Sequence, residues 1–268
     1  DEPGGPLHGG RLMPRAGMPW HPAERPLVVA HRGSSKVHPE HTFAGYEQAI
    51  AEGADLLECD VRLTADGYLV CVHDRRIDRT SDGRGVVSAK TLDQLRRWDF
   101  GAGSVLRLED LMELALGADR PVGLAIETKH PNRYAGLVEQ RVVEAVRAFG
   151  MMPSRFEADS RVYFMSFAEL ALRRWREMAP GAPTVFLMER VPLRCRRGWL
   201  PFSARAAGPS IEILREYPEY VRRVHRVGGR VFVWTVDEPE DIDLCRELQV
   251  DAIITNRPGV ARSHLDGS

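Results

Sequence analysis

The chain has 268 residues, 43% hydrophobic and 28% charged, with a formal net charge of -1 at pH 7. That length suits one large domain or two small ones, and the composition is ordinary for a globular protein with a sizeable core. A net charge this close to zero excludes a global field that would steer nucleic acid or an anionic membrane to the surface, so no nucleic-acid partner is expected.

Residues 1–26 are rich in Gly and Pro and show no period, as in a flexible N-terminal arm. They lack the charged start and apolar middle of a signal peptide, and no run of about 18 apolar residues occurs anywhere. The expectation is a cytoplasmic protein without a transmembrane helix, a signal cleaved upstream of Asp1 being left open. Cys59, Cys71, Cys195 and Cys245 match no zinc or CxxC spacing, which fits free thiols in a reducing compartment.

From Leu27 onward strands alternate with helices. Leu27–Ala30 reads as a short apolar strand, and apolar residues at 43, 46, 49 and 50 predict a helix over Thr42–Glu52. Asp55–Leu63 is strand-like, and Tyr68–His73 is a further strand after the turn signal Asp66-Gly67. A polar stretch follows, with a short helix at Thr91–Trp98 and another at Leu108–Leu116. Then come strand Val122–Glu127 and helix Arg133–Phe149, strand Arg161–Met165 and helix Phe167–Met178, and strand Thr184–Met188. A Pro- and Arg-rich loop covers 190–203, and Gly208–Ile213 is a weak strand. Helix Tyr217–Val227, strand Arg230–Val236, helix Pro239–Leu248 and strand Ala252–Thr255 complete the chain. Arginine-rich stretches at 172–178 and 193–200 read first as solvated faces, with membrane-surface contact as the other reading.

About eight strands separated by helices favour an α/β fold of the (β/α)8 TIM-barrel type over a doubly wound open sheet. The barrel would span 27–262, with a tail at 263–268.

In such a barrel the reacting groups sit at the C-terminal ends of the strands. His31 and Arg32 end the first strand, His73 and Asp74 the hairpin strand, and Trp234 stands near the end of a later one. Glu58 and Asp60 are two apart and share one side of a strand, as do Glu127 and Lys129. Two carboxylates on one buried face repel each other and are costly to desolvate. A divalent cation held by Glu58, Asp60 and Glu127 would offset both costs, and an all-oxygen anionic site favours Mg2+ or Ca2+. The competing reading is an ion-pair network in which Arg32, Arg62 or Lys129 neutralises the acids. Histidines suit proton transfer near neutral pH, and Arg32 and Lys129 could hold a phosphate. Together these groups suit phosphodiester cleavage, where charge develops on phosphoryl oxygens.

The stretch "AHRGSSKVHPEHTFAGYEQAIAEGADLLECDVRLTADGYLVCVHDRRIDRTSDGRG" resembles the N-terminal signature of the glycerophosphodiester phosphodiesterase family. "VLRLEDLMEL", "LAIETK", "FMSF", "VFVWTVDE" and "VDAIITNRP" match further pieces in order, so the resemblance runs from Leu27 to about Val260. It implies a (β/α)8 barrel with a small insertion after the second barrel strand, within roughly 74–107. It implies His31 and His73 as the acid–base pair, and Glu58, Asp60 and Glu127 as ligands of Mg2+ or Ca2+. Arg32 and Lys129 would contact phosphate, and Trp234 would wall the glycerol, simple barrel packing being its other reading. The implied reaction releases glycerol 3-phosphate and an alcohol from a small-molecule glycerophosphodiester. Lysophospholipase D-type cleavage in the same site is the alternative, for which "RRGWLPF" at 196–202 would supply apolar residues; a silent phosphate-ester-binding barrel ranks below both.

Three departures from the family pattern stand out. His41 replaces the Asn of Pro-Glu-Asn-Thr, Asn256 replaces the Asp of Thr-Asp-x-Pro, and Arg107-Leu108 replaces Pro-Thr. The first reads as harmless, the second as structural, the third as an altered loop.

Overall fold

The computed structural model describes residues 25–153 and 160–267, so nearly all of the expected arm lies outside the described residues. The chain opens with β1 (Leu27–His31), α1 (Phe43–Ala51), β2 (Leu56–Leu63) and β3 (Leu69–Cys71). Next come α2 (Leu92–Leu95), α3 (Leu108–Leu116), β4 (Gly123–Thr128) and α4 (Leu137–Ala148). β5 (Val162–Ser166), α5 (Glu169–Met178), β6 (Thr184–Met188), β7 (Ala206–Pro209), α6 (Ile211–Glu216) and α7 (Glu219–Arg226) follow. The last elements are β8 (Arg230–Val233), α8 (Pro239–Glu247), β9 (Ala252–Thr255) and α9 (Pro258–Asp266).

β1 pairs in parallel with both β2 and β9, which closes the sheet into a barrel. Round the ring the order is β1, β2, β4, β5, β6, β7, β8, β9, all parallel. β3 stays outside the ring, antiparallel to the end of β2. The fold is thus a (β/α)8 barrel, not an open sheet.

Strand alternation sorts the side chains. Leu27 and Val29, Leu56, Ala125, Tyr163 and Met165, Phe232, and Ala252 and Ile254 fill the barrel interior. Their neighbours Val28, Ala30, Leu57, Cys59, Leu124 and Ile126 face outward and pack under the helices. The segment between β3 and α3 builds a small core of its own from Val70, Ile77, Val87, Leu92, Leu95 and neighbours. Thr91 and Gln94 form a reciprocal capping box at the start of α2 in this insertion.

Several elements differ from their predicted extent. The weak strand expected at 208–213 is β7, and it stops at Pro209. Ile211, Ile213 and Leu214 are buried on α6, so their apolar run follows helical rather than strand spacing. The helix expected from Arg133 begins at Leu137, because the Asn132 side chain accepts from the Tyr134 amide and holds a turn there. The expected tail at 263–268 is not separate: α9 runs through it to Asp266, burying Pro258 and Ala261. All four cysteines are buried and free. No helix among the described residues is long and apolar enough to cross a membrane.

Candidate active site

The interior positions change character toward the C-terminal end of the barrel. Continuing each strand by its period of two leads from Val29 to His31 and from Leu56 to Glu58 and Asp60. It leads likewise from Ala125 to Glu127 and Lys129, from Phe232 to Trp234, and from Ile254 to Asn256. His31, Arg32, Glu58, His73, Glu127, Lys129 and Trp234 line one cavity of about 280 Å³ there.

Ligand oxygens of Glu58, Asp60 and Glu127 lie within 4.8 Å of one another, and all three residues are buried. Strand pairing creates the cluster: Asp60 stands in register with Glu127, and Glu58 with His31. Lys129 Nζ reaches Glu127 at 2.8 Å and Asp60 at 3.2 Å, while Arg32 Nε lies 3.1 Å from Asp60. The Arg32 backbone N–H donates to Glu58 at 2.9 Å. Arg32 itself has a left-handed backbone, and Gly33 follows it with φ of +90°. A Cβ on Gly33 would come within 2.9 Å of the Gly45 backbone, so the tight turn after β1 needs a glycine.

The acids are not equally compensated. Burial alone would raise Asp60, yet the His41 hydrogen bond with Lys129 and Arg32 holds it well below the carboxylate range. Burial and repulsion from Asp60 push Glu58 well up, and the same causes bring Glu127 to about 8. His41, Lys129 and Arg32 together keep Asp60 ionised, while Glu58 and Glu127 resist ionisation although Lys129 also pairs with Glu127. This donor set fits a hard divalent cation, whose charge would remove the repulsion. The ion-pair reading is met by Arg32 and Lys129, which pair within the cluster. Arg62 instead donates to the His73 carbonyl, at 2.7 and 3.1 Å.

Each histidine is held from behind. Asn256 Nδ2 donates to Asp237 at 2.6 Å, so its amide oxygen turns to His31 Nδ1 at 2.7 Å. His31 must donate through Nδ1, which leaves Nε2 as the acceptor. Burial, then the Arg32 charge, lowers the His31 pKa to about 4. His73 Nδ1 meets Asp74 at 2.7 Å, and Asp74 accepts from Arg79 at 2.7 Å. Arg79 holds Asp74 at about 2, and burial lowers the His73 pKa. Arg79 also donates to Glu40 at 2.8 Å, and Glu40 pairs with Arg32, so the insertion is tied to the β1 loop across the site.

Two departures from the family pattern have partners at the site. Asn256 bonds His31, and the carboxylate behind it is Asp237. His41 places Nε2 at 3.0 Å from Asp60 and Nδ1 at 2.8 Å from the Tyr46 hydroxyl, which donates to the Glu58 carbonyl. It ties the acid cluster to α1. At the third, Arg107 pairs with Asp110 at the start of α3.

Trp234 donates to the Gly208 carbonyl and meets Phe167 edge-on at 5.4 Å, so it both packs and lines the cavity. Sequence reading missed Phe167, Glu189, Asp237 and Arg79. Phe167 and Glu189 continue the interior positions Met165 and Leu187 by two, the same signal that exposed Glu58 and Asp60. Arg79 carries no such periodic mark. Trp199 is 65% exposed, but residues 196–202 line no part of the cavity.

The glycerophosphoryl diester phosphodiesterase family model matches residues 31–260. A Mycobacterium tuberculosis protein named a probable glycerophosphodiester phosphodiesterase is 46% identical, across 91% of this chain and 94% of its own. The glycerophosphodiester phosphodiesterase of Caldanaerobacter subterraneus subsp. tengcongensis is 33% identical, across 87% of this chain and 94% of its own. The fold is shared with a crystal structure of glycerophosphodiester phosphodiesterase from Agrobacterium tumefaciens. There the TM-score is 0.74 at 24% identity, covering 89% of this chain and 99% of that one. The chain belongs to the glycerophosphoryl diester phosphodiesterase family.

Proposed function

From that membership we propose that the chain cleaves glycerophosphodiesters to glycerol 3-phosphate and an alcohol, with His31 and His73 as the proton-transfer pair. The observation that carries this reading is the matched backing of two histidines in one cavity. Each has its Nδ1 engaged by an outer partner, which leaves Nε2 for the reacting atoms.

The two environments divide the work. His31 stays neutral down to about pH 4, so its Nε2 takes the proton of the glycerol hydroxyl that attacks phosphorus. His73 is hydrogen-bonded to the ionised Asp74, which partly offsets the lowering of its pKa by burial, and we assign it the proton given to the departing alcohol oxygen. The new O–P bond forms as the bond to the alcohol breaks, leaving a cyclic phosphate. Water opens that ring with the two histidines in exchanged roles. Arg32 and Lys129 hold the phosphoryl oxygens, and Trp234 with Phe167 walls the glycerol. Glu58, Asp60 and Glu127 would hold Mg2+ or Ca2+, which supplies positive charge for the pentacoordinate phosphate. The site belongs to the barrel, with the insertion over 74–107 contributing Arg79.

A product-resolved assay tests this. Glycerophosphocholine should yield glycerol 3-phosphate and choline with either Mg2+ or Ca2+, and nothing after chelation. Release of choline phosphate would contradict the bond assignment, and full activity under chelation would make the carboxylates structural.

A further inference from the structure

We propose that the groove between the insertion and the loop after β4 is the subsite for the departing alcohol. It selects glycerophosphodiesters whose alcohol carries an anionic group of its own. This rests on the activity above and goes beyond it by naming the leaving group.

The groove is a second cavity of about 570 Å³, against about 280 Å³ for the catalytic one. Lys129 lines both and is the one residue their linings share. Its floor is apolar and deeply buried: Val61, Val87 and Val138 are each at most 2% exposed. The Tyr134 hydroxyl donates to the Ser88 carbonyl at 2.9 Å and fastens the two banks together. The alcohol leaves from the His73 side, and Arg62, which grips the His73 carbonyl, lines the groove.

Charge then decides what fits. Arg75 and Arg133 stand exposed on the lining, and among the described residues neither has a carboxylate within ion-pair distance. Their neighbours are compensated: Arg76 pairs with Asp78, and Arg79 with Asp74 and Glu40. Arg133 rests over the Tyr134 ring, 5.9 Å from its centroid. Across the catalytic cavity the wall carries Glu189, which no cation pairs among the described residues. An anion on the alcohol is repelled from the β6 wall and drawn to two uncompensated guanidinium groups above a carbon-lined floor.

Glycerophosphoinositol 4-phosphate and glycerophosphoinositol differ by one phosphate on the alcohol, and comparing their kcat/KM tests the subsite. The phosphorylated diester should be cleaved about fivefold to tenfold better at low ionic strength, an advantage that shrinks as salt is added. In an Arg75→Ala/Arg133→Ala variant the ratio should fall to about one, with glycerophosphocholine cleavage unchanged. A wild-type ratio of one or less would overturn the proposal. So would a double variant that slows glycerophosphocholine and the phosphorylated diester equally. Failure of the wild type to cleave even glycerophosphocholine would overturn the activity itself, and the subsite with it.

Discussion

The lower and upper halves of the barrel interior are built from the same strands with the same alternation, yet their chemistry is opposite. Below lie Leu27, Leu56, Tyr163, Phe232 and Ala252, which contact one another and contribute only packing. Above, two or four residues further along at the same parity, lie His31, Glu58, Asp60 and Asn256, with Glu127 and Lys129 beyond Ala125 on β4. The lower half gains free energy by excluding water, at roughly 25 cal/mol per Å² of apolar surface. The upper half gives it up by burying charge, and each such group needs a partner from another strand. A buried polar position is thus held by its neighbours in the ring, whereas a buried apolar one needs only volume.

The sharpest way to break this contrast is to remove one group from the upper half. His31→Ala or His73→Ala should each lower kcat for glycerophosphocholine by on the order of 10³ while leaving the melting temperature near that of the wild type. Steady-state kinetics beside a thermal melt will show both, and an active variant would remove that histidine from the chemistry.

The converse change is Leu56→Ala in the lower half. It should cost about 2–4 kcal/mol of stability, read from denaturant unfolding, with kcat per folded molecule unaltered. A fall in kcat instead would mean that the two halves are mechanically coupled.

Glu127→Gln probes the boundary between packing and charge. Without divalent metal the variant should be more stable than the wild type by about 1–2 kcal/mol, since an acid pushed to about 8 by burial and Asp60 is gone. With Mg2+ or Ca2+ the order should reverse, because only the wild type gains a bound ion. Melts with chelator and with metal decide it, and identical shifts in both proteins would exclude Glu127 as a ligand.

Asn256→Asp should have the smallest effect, about tenfold in kcat/KM near neutral pH. A carboxylate there faces Asp237 and His31 together. It would stabilise protonated His31 and raise a pKa that now lies near 4. The base would then be protonated at higher pH, so the acid limb of the kcat/KM profile should move upward. Adding Asp237→Asn should restore stability by removing the facing pair of carboxylates. An unmoved acid limb would show that His31 is not the group titrating there.

The fold was legible in outline because the strands are short apolar runs and their number approaches eight. β7 and α6 were misread at the join, since Pro209 ends a strand directly before a helix whose buried face is also apolar. Within the site, Glu58, Asp60, Glu127 and Lys129 could be found from spacing alone, because charge inside an apolar run is conspicuous. His41 and Asn256 were visible only as departures, and their partners were not. Asp60 accepts from His41, 19 positions away in sequence, and His31 meets Asn256 across 225.

The sequence by itself determined the parity: which residues share a strand face, and that acids interrupt it. That follows from the two-residue repeat of an extended chain, which needs no partner. Only the tertiary structure decided which acid is held ionised and which ring nitrogen of each histidine is engaged. Closing the ring sets β9 beside β1 and β2 beside β4, and those contacts fix the burial, hydrogen bonds and neighbouring charges that determine each protonation state.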